Sequence, residues 1–171
     1  MPGDAAELYA VTDADRAHLR RWLPWVDRVR SPSDSLAFVQ TTLRQLADDQ
    51  GFTAAIVCDG TIAGVIGHHR ISWANHSTSL GWWLAAPFEG RGIMTRSCSA
   101  VVGHAFDELE LNRVEIRCAT GNTRSRAIPE RLGFRLEGVL RDAQWLHDRF
   151  VDHAVYAMLR RDRPAEADAG A

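Results

Sequence analysis

The sequence predicts an α/β fold of the mixed α+β kind: a central mixed, mostly antiparallel sheet of about seven strands, with helices on both faces. Three observations predict it. Short β-rich runs alternate with amphipathic stretches along the whole chain. A meander of three such runs, over 52–85, precedes two strand–helix units, and that combination yields antiparallel and parallel neighbours in one sheet. No linker, internal repeat or low-complexity run divides the 171 residues, which predicts a single domain over 1–171 with an ordered core of about 7–162.

The elements follow in order. "ELYAV" (7–11) reads as a short first strand, and residues 1–6 and 163–171 as ragged ends. "TDADRAHLRRWLPWV" (12–26) reads as a helix with Thr12 or Asp13 as N-cap, and with Leu19, Trp22 and Leu23 on one face until Pro24 interrupts it. A second helix spans 31–51, with Leu36, Val39, Leu43 and Leu46 at helical spacing and Gly51 as its stop. Two apolar runs flank Asp59-Gly60, a strong hairpin signal. "STSLGWWLA" (77–85) supplies another strand, 90–109 a helix, and "RVEIRCA" (113–119) a strand. "NTRSRAIPERLGF" (122–134) contains a helix ending at Gly133, and two last strands near 134–141 and 150–160 frame a turn at His147-Asp148.

Composition narrows the function classes. A formal charge of −2 gives no global basic field for gathering nucleic acid or an anionic membrane. Cys58, Cys98 and Cys118 sit in apolar stretches without metal-ligand spacing, which predicts reduced, buried thiols, no metal site and a cytoplasmic location. The N-terminus lacks a basic segment followed by an apolar one, so no signal peptide is expected, and no apolar run is long enough to suggest a membrane span.

The most informative stretch is "FEGRGIMTRSCSA" (88–100), where Gly90 and Gly92 lead into a helix. A helix N-terminus offers unpaired N–H groups and partial positive charge, and glycines let backbone approach an anion closely. Two well-known phosphate loops do not fit. Ile93-Met94 follows Gly92 where a Walker loop needs Lys-Ser/Thr, and Thr95 stands where the dinucleotide fingerprint needs its third glycine.

Five segments in order, "LGWWL" (80–84), "EGRGIMT" (89–95), "LNRVEIR" (111–117), "NTRS" (122–125) and "RLGFRLEG" (131–138), resemble the GNAT superfamily of acyl-CoA-dependent N-acetyltransferases. With "WLPWV" (22–26), they are most similar to the branch that acetylates ribosomal-protein N-termini, over roughly residues 7–160. The resemblance implies a GNAT fold and acetyl-CoA as co-substrate. It implies that the backbone of Gly90, Arg91, Gly92, Ile93, Met94 and Thr95 binds the pyrophosphate of coenzyme A, while the pantetheine arm runs beside the strand ending at Trp83 and Leu84. It further implies that Asn122 touches the pantetheine and that Ser125 hydrogen-bonds the sulfur. Glu89 and Met94 depart from the family loop, which usually begins with Gln or Arg and often ends in Gly or Ala.

Acetyl transfer to an amine needs a proton acceptor, a polarised thioester carbonyl and a proton donor for the thiolate. Ser125 is the candidate acid. No carboxylate lies between Ser77 and Pro87, where related enzymes are thought to carry a glutamate base, and His68 is the candidate base, His69 being the alternative on the other side of the strand. Trp25 is the candidate acceptor-groove residue. The expected acceptor is a protein N-terminal α-amine; a small amine such as a polyamine or aminoglycoside, a catalytically silent acyl-CoA-binding module, and a homodimer stay open.

Overall fold

The computed structural model describes residues 1–163; the predicted ragged end over 164–171 lies outside them. The first departure comes at the start. Residues 7–11 are helical: α1 spans Ala5–Ala14, and Ala5, Leu8 and Thr12 form its buried stripe. Ala5, Ala6, Glu7, Leu8 and Ala10 are strong helix formers, and their periodicity outweighs the short β-like run they surround. Consequently the ordered core reaches back to Ala5, and the ragged end expected over 1–6 gives way there. The helix expected over 12–26 divides at Asp15 into the end of α1 and a short α2 (Arg16–Arg20), after which Pro24 opens a 3-10 turn, Pro24–Arg28.

Helix α3 (Pro32–Ala47) lies where expected, but its buried face is Ser35 and Val39; Leu43 and Leu46 are exposed. Strands β1 (Thr53–Cys58), β2 (Thr61–Ser72) and β3 (Ser77–Leu84) form the meander. Then come α4 (Ile93–Asp107), β4 (Arg113–Ala119), α5 (Thr123–Arg131), β5 (Arg135–Leu146) and β6 (Arg149–Leu159).

Among the described residues the sheet has six strands in the order β1-β2-β3-β4-β6-β5, one fewer than expected because the expected first strand is α1. Only β3 and β4 run parallel; the other neighbours are antiparallel. Each face is covered. On one, Leu80, Val114, Ile116 and Tyr156 pack with Val102 and Phe106 of α4. On the other, Val65 and Trp83 meet Leu8, Leu19, Val26 and Val39 from the N-terminal helical segment.

Candidate active site

The site begins where the two parallel strands part. The β3–β4 pairing covers only Ser77↔Arg113 to Leu80↔Ile116, yet β3 continues to Leu84 and β4 to Ala119. Beyond Leu80 the edge of β3 that faces β4 is therefore free, and its polar groups can pair with an amide-bearing chain laid into the gap. The gap opens into a continuous cleft of about 1990 Å³. One small-molecule pocket occupies roughly 300–1,000 Å³, so this cleft has room for two reactants.

At one end of the cleft, Gly90 (φ 73°) and Gly92 (φ 70°) both adopt the left-handed conformation. Gly92 is the N-cap of α4 without a side-chain cap, and the first helical bond runs from Arg96 N–H to the Gly92 carbonyl at 3.1 Å. The N–H groups of Ile93, Met94 and Thr95 thus precede the helical ladder and are left for an anion. Arg96 and Arg131 flank them, the latter donating to Thr95 Oγ1 at 2.8 Å. Arg91 is set apart from the other predicted cofactor residues: its side chain turns to Asp59 at 3.8 Å and over the Phe88 ring at 5.9 Å, and it does not line the cleft.

Glu89 looks from sequence like a charge in the wrong place. Its carboxylate is paired locally with Arg124 at the start of α5 and hydrogen-bonded with His18 Nε2 at 3.1 Å. It thereby ties α2, the glycine turn and α5 together.

Across the gap stands the N-terminus of α5. Asn122 caps it, its side-chain oxygen accepting from Ser125 N–H at 3.2 Å. Both residues line the cleft, and the Ser125 hydroxyl makes no hydrogen bond among the described residues. Pro129 lies inside the helix and has no N–H to offer the Ser125 carbonyl four residues back. Arg126 anchors the helix to the sheet, donating to the Tyr156 hydroxyl at 2.9 Å and to the Thr120 carbonyl at 3.1 Å.

The other lobe of the cleft is walled by aromatic rings. Trp25 packs 6.2 Å from buried Trp83, ring centroid to ring centroid, and Trp22 lies against Gly121 in the turn before α5. The β5–β6 hairpin tip docks on the end of α2, with His147 Nε2 2.6 Å from the Arg20 carbonyl. Asp27 is taken up by Arg20 at 2.8 Å and His147 at 3.5 Å.

The two adjacent histidines go to opposite faces of β2. His68, the expected base, is only 3% exposed and packs under α4, edge-on to Phe52, with Nδ1 3.2 Å from Thr78 Oγ1. Its Nε2 is buried without a partner, and burial, then the nearby His104 and His69, pushes its pKa down to about 4. Unfolding frees this ring to protonate, so its cost to the fold grows as pH drops from about 6.5 towards about 4. His68 is among the residues that line the cleft, but its ring is buried there. His69 is exposed on the groove side and lines the cleft, as do Arg117 of β4 and His153 of β6.

Sequence reasoning overlooked Arg117, His153 and Gln144, which come from β4, β6 and β5 and line the cleft together. Strand alternation marks Arg117 as facing away from buried Ile116 and Cys118, but nothing local joins it to His69, 48 positions earlier in the numbering. Among the described residues no cluster of His, Cys, Asp and Glu is placed to hold a metal ion, and no helix is long and apolar enough to cross a membrane.

Known proteins share this architecture. The family model described as "Acetyltransferase (GNAT) domain" matches residues 1–135. The putative ribosomal N-acetyltransferase YdaF of Bacillus subtilis is 37% identical over 96% of this chain and 91% of its own length. The ribosomal-protein-serine acetyltransferase of Escherichia coli is 29% identical over 89% of this chain and 85% of its own. Among solved structures, the Microcin self-immunity acetyltransferase MccE in complex with acetyl-CoA and AMP superposes with a TM-score of 0.90, at 29% identity, covering 93% of this chain and 88% of that one. With the glycine turn, the parted strands and the family match in agreement, the chain belongs to the GNAT family and is an acetyl-CoA-dependent N-acetyltransferase.

Proposed function

We propose that this enzyme acetylates the N-terminal α-amine of a protein, with ribosomal proteins as the substrate class, in a cytoplasm that keeps its three free cysteines reduced. One observation supports the reading above others: the cleft has an open, aromatic-walled lobe beside Trp22 and Trp25, continuous with the anion-binding turn. A flexible peptide end fits such a lobe. The names of the two relatives favour the same class of acceptor.

Acetyl-CoA would lie with its pyrophosphate on the N–H groups that open α4 and its pantetheine along residues 81–84 of β3. Asn122 holds the first turn of α5, and so presents the Ser125 hydroxyl toward the sulfur. As the C–S bond breaks, Ser125 gives its proton to the thiolate and takes one from the nitrogen that has joined the carbonyl carbon. An α-amine, with an unperturbed pKa near 8, is roughly one-quarter neutral at pH 7.5, against about one in a thousand for lysine. A site with no carboxylate base at the usual position favours the former.

The test compares kcat/KM for a peptide with a free N-terminus against its N-terminally blocked twin carrying an equivalent lysine, with products located by mass spectrometry. Preference for the free N-terminus is expected; equal rates, or faster turnover of a polyamine or aminoglycoside, would overturn the assignment.

A further inference from the structure

We propose that His69 Nε2 is the group that takes the proton from the acceptor ammonium, a role that rests on the acetyltransferase reading of this cleft. The geometry starts with the backbone. In the β2–β3 ladder His68 pairs with Leu80, but the next pair is Ile71 with Thr78, so two residues of β2 oppose one of β3. Such a bulge re-aims the side chains at its position. His69 is one of the two residues concerned.

Its ring is fixed from one side: Nδ1 stands 3.0 Å from Ser79 Oγ. Nε2 is left pointing over Gly81. A Cβ built on Gly81 would lie 2.5 Å from His69 Nε2 and 2.8 Å from its Cε1, so the ring covers the spot where any other residue would put a side chain. Gly81 is the first residue of β3 past the last β3–β4 pair, Leu80↔Ile116. The free nitrogen of His69 therefore stands at the mouth of the gap, on the acceptor side of the sheet.

The surroundings keep that nitrogen ready to accept. Arg117, the first residue of β4 past the same pair, is the charged group nearest in effect. Partial enclosure of the ring, although one side stays open to the groove, and then Arg117 lower the His69 pKa below the ordinary imidazole value, which favours the neutral ring. Other titratable groups face the same lobe. Glu115 bonds Arg117, and His153 of β6 is held by Gln144 at 3.1 Å. From α3, Asp34 lines the opposite wall and is occupied by the Arg30 N–H at 2.9 Å and the Ser31 hydroxyl at 2.9 Å. Asp34 is thus a poor rival for the proton.

The step balances simply. The ammonium gives one proton to His69 Nε2, and the freed lone pair forms the C–N bond at the thioester carbonyl. The second nitrogen proton ends on the sulfur as the C–S bond breaks. His69 then returns its proton to solvent, leaving amide, free thiol and one released proton.

The experiment measures kcat/KM for wild type, His69→Gln, His69→Ala and His153→Gln across neutral and alkaline pH, together with coenzyme A affinity. Without the histidine only neutral amine reacts, so His69→Gln should lose at least about tenfold at pH 7 for an amine of pKa near 8, and the deficit should close near pH 9. Affinity for coenzyme A should stay within twofold. His69→Ala should follow the same profile, which separates lost proton transfer from altered packing by glutamine. A pH-independent deficit, wild-type behaviour in both variants, or the pH-dependent loss appearing in His153→Gln instead, would overturn the proposal. If wild type acetylates no amine at all, it is the acceptor reading that fails.

Discussion

The cofactor lobe of the cleft presents backbone, and the acceptor lobe presents side chains. In the first, N–H groups at the start of α4, freed by two left-handed glycines, and the unpaired edge of β3 make the surface proposed to hold acetyl-CoA. In the second, Trp22, Trp25, His69, Arg117 and His153 converge from four separate parts of the chain. A backbone-built site holds a ligand whose shape never changes. A side-chain-built site can be altered residue by residue while the cofactor end stays as it is. Such a division lets one scaffold keep one acetyl donor while acceptors differ.

Three substitutions sharpen or break that contrast. Ser125 sits where the lobes meet, so Ser125→Ala should have the largest effect, lowering kcat by roughly 10²-fold in a single-turnover assay with coenzyme A affinity unchanged. Wild-type chemistry in this variant would leave the residue as part of the helix cap only. Gly92→Asp adds a negative charge beside the N–H groups that open α4, strains the left-handed backbone there (φ 70°), and brings its Cβ to 3.0 Å from Arg96 Nη1. Calorimetry should show coenzyme A binding at least tenfold weaker, about 1.4 kcal/mol, with the acceptor KM little changed. Undiminished affinity in the folded variant would mean that the turn does not hold the pyrophosphate. Trp25→Ala should be the mildest: a rise in acceptor KM of roughly fivefold, about 1 kcal/mol, with coenzyme A affinity intact. If it weakened the cofactor instead, the two lobes would not be independent.

The same contrast explains what could be read in advance. Gly90 and Gly92 share one turn of the chain and Asn122 and Ser125 another, where spacing is itself the geometry, and all four line the cleft. His69 and Arg117 come to the cleft through strand pairing and a bulge, and a bulge shifts the alternation that any reading of "GHHRIS" depends on. The fold misreading had another cause. "ELYAV" is too short for β-branched content to outweigh the helix formers around it, and that one segment accounts for the seventh strand. Helix α3 shows the converse: its period is visible in sequence, but Ser35 rather than Leu43 is buried, because the neighbouring α1 decides which stripe is covered.

The short parallel seam between β3 and β4 also has a meaning for how the chain reaches its native state. Its four residue pairs join segments separated by the whole of α4, whereas the β1–β2 and β5–β6 hairpins close through local turns. Contacts of such different sequence span form at different rates, and the non-local ones come late because loop closure must precede them. The cleft is bounded by that seam. The hairpins alone would not make the cleft, so competence for acetyl transfer is tied to the non-local closure of the sheet.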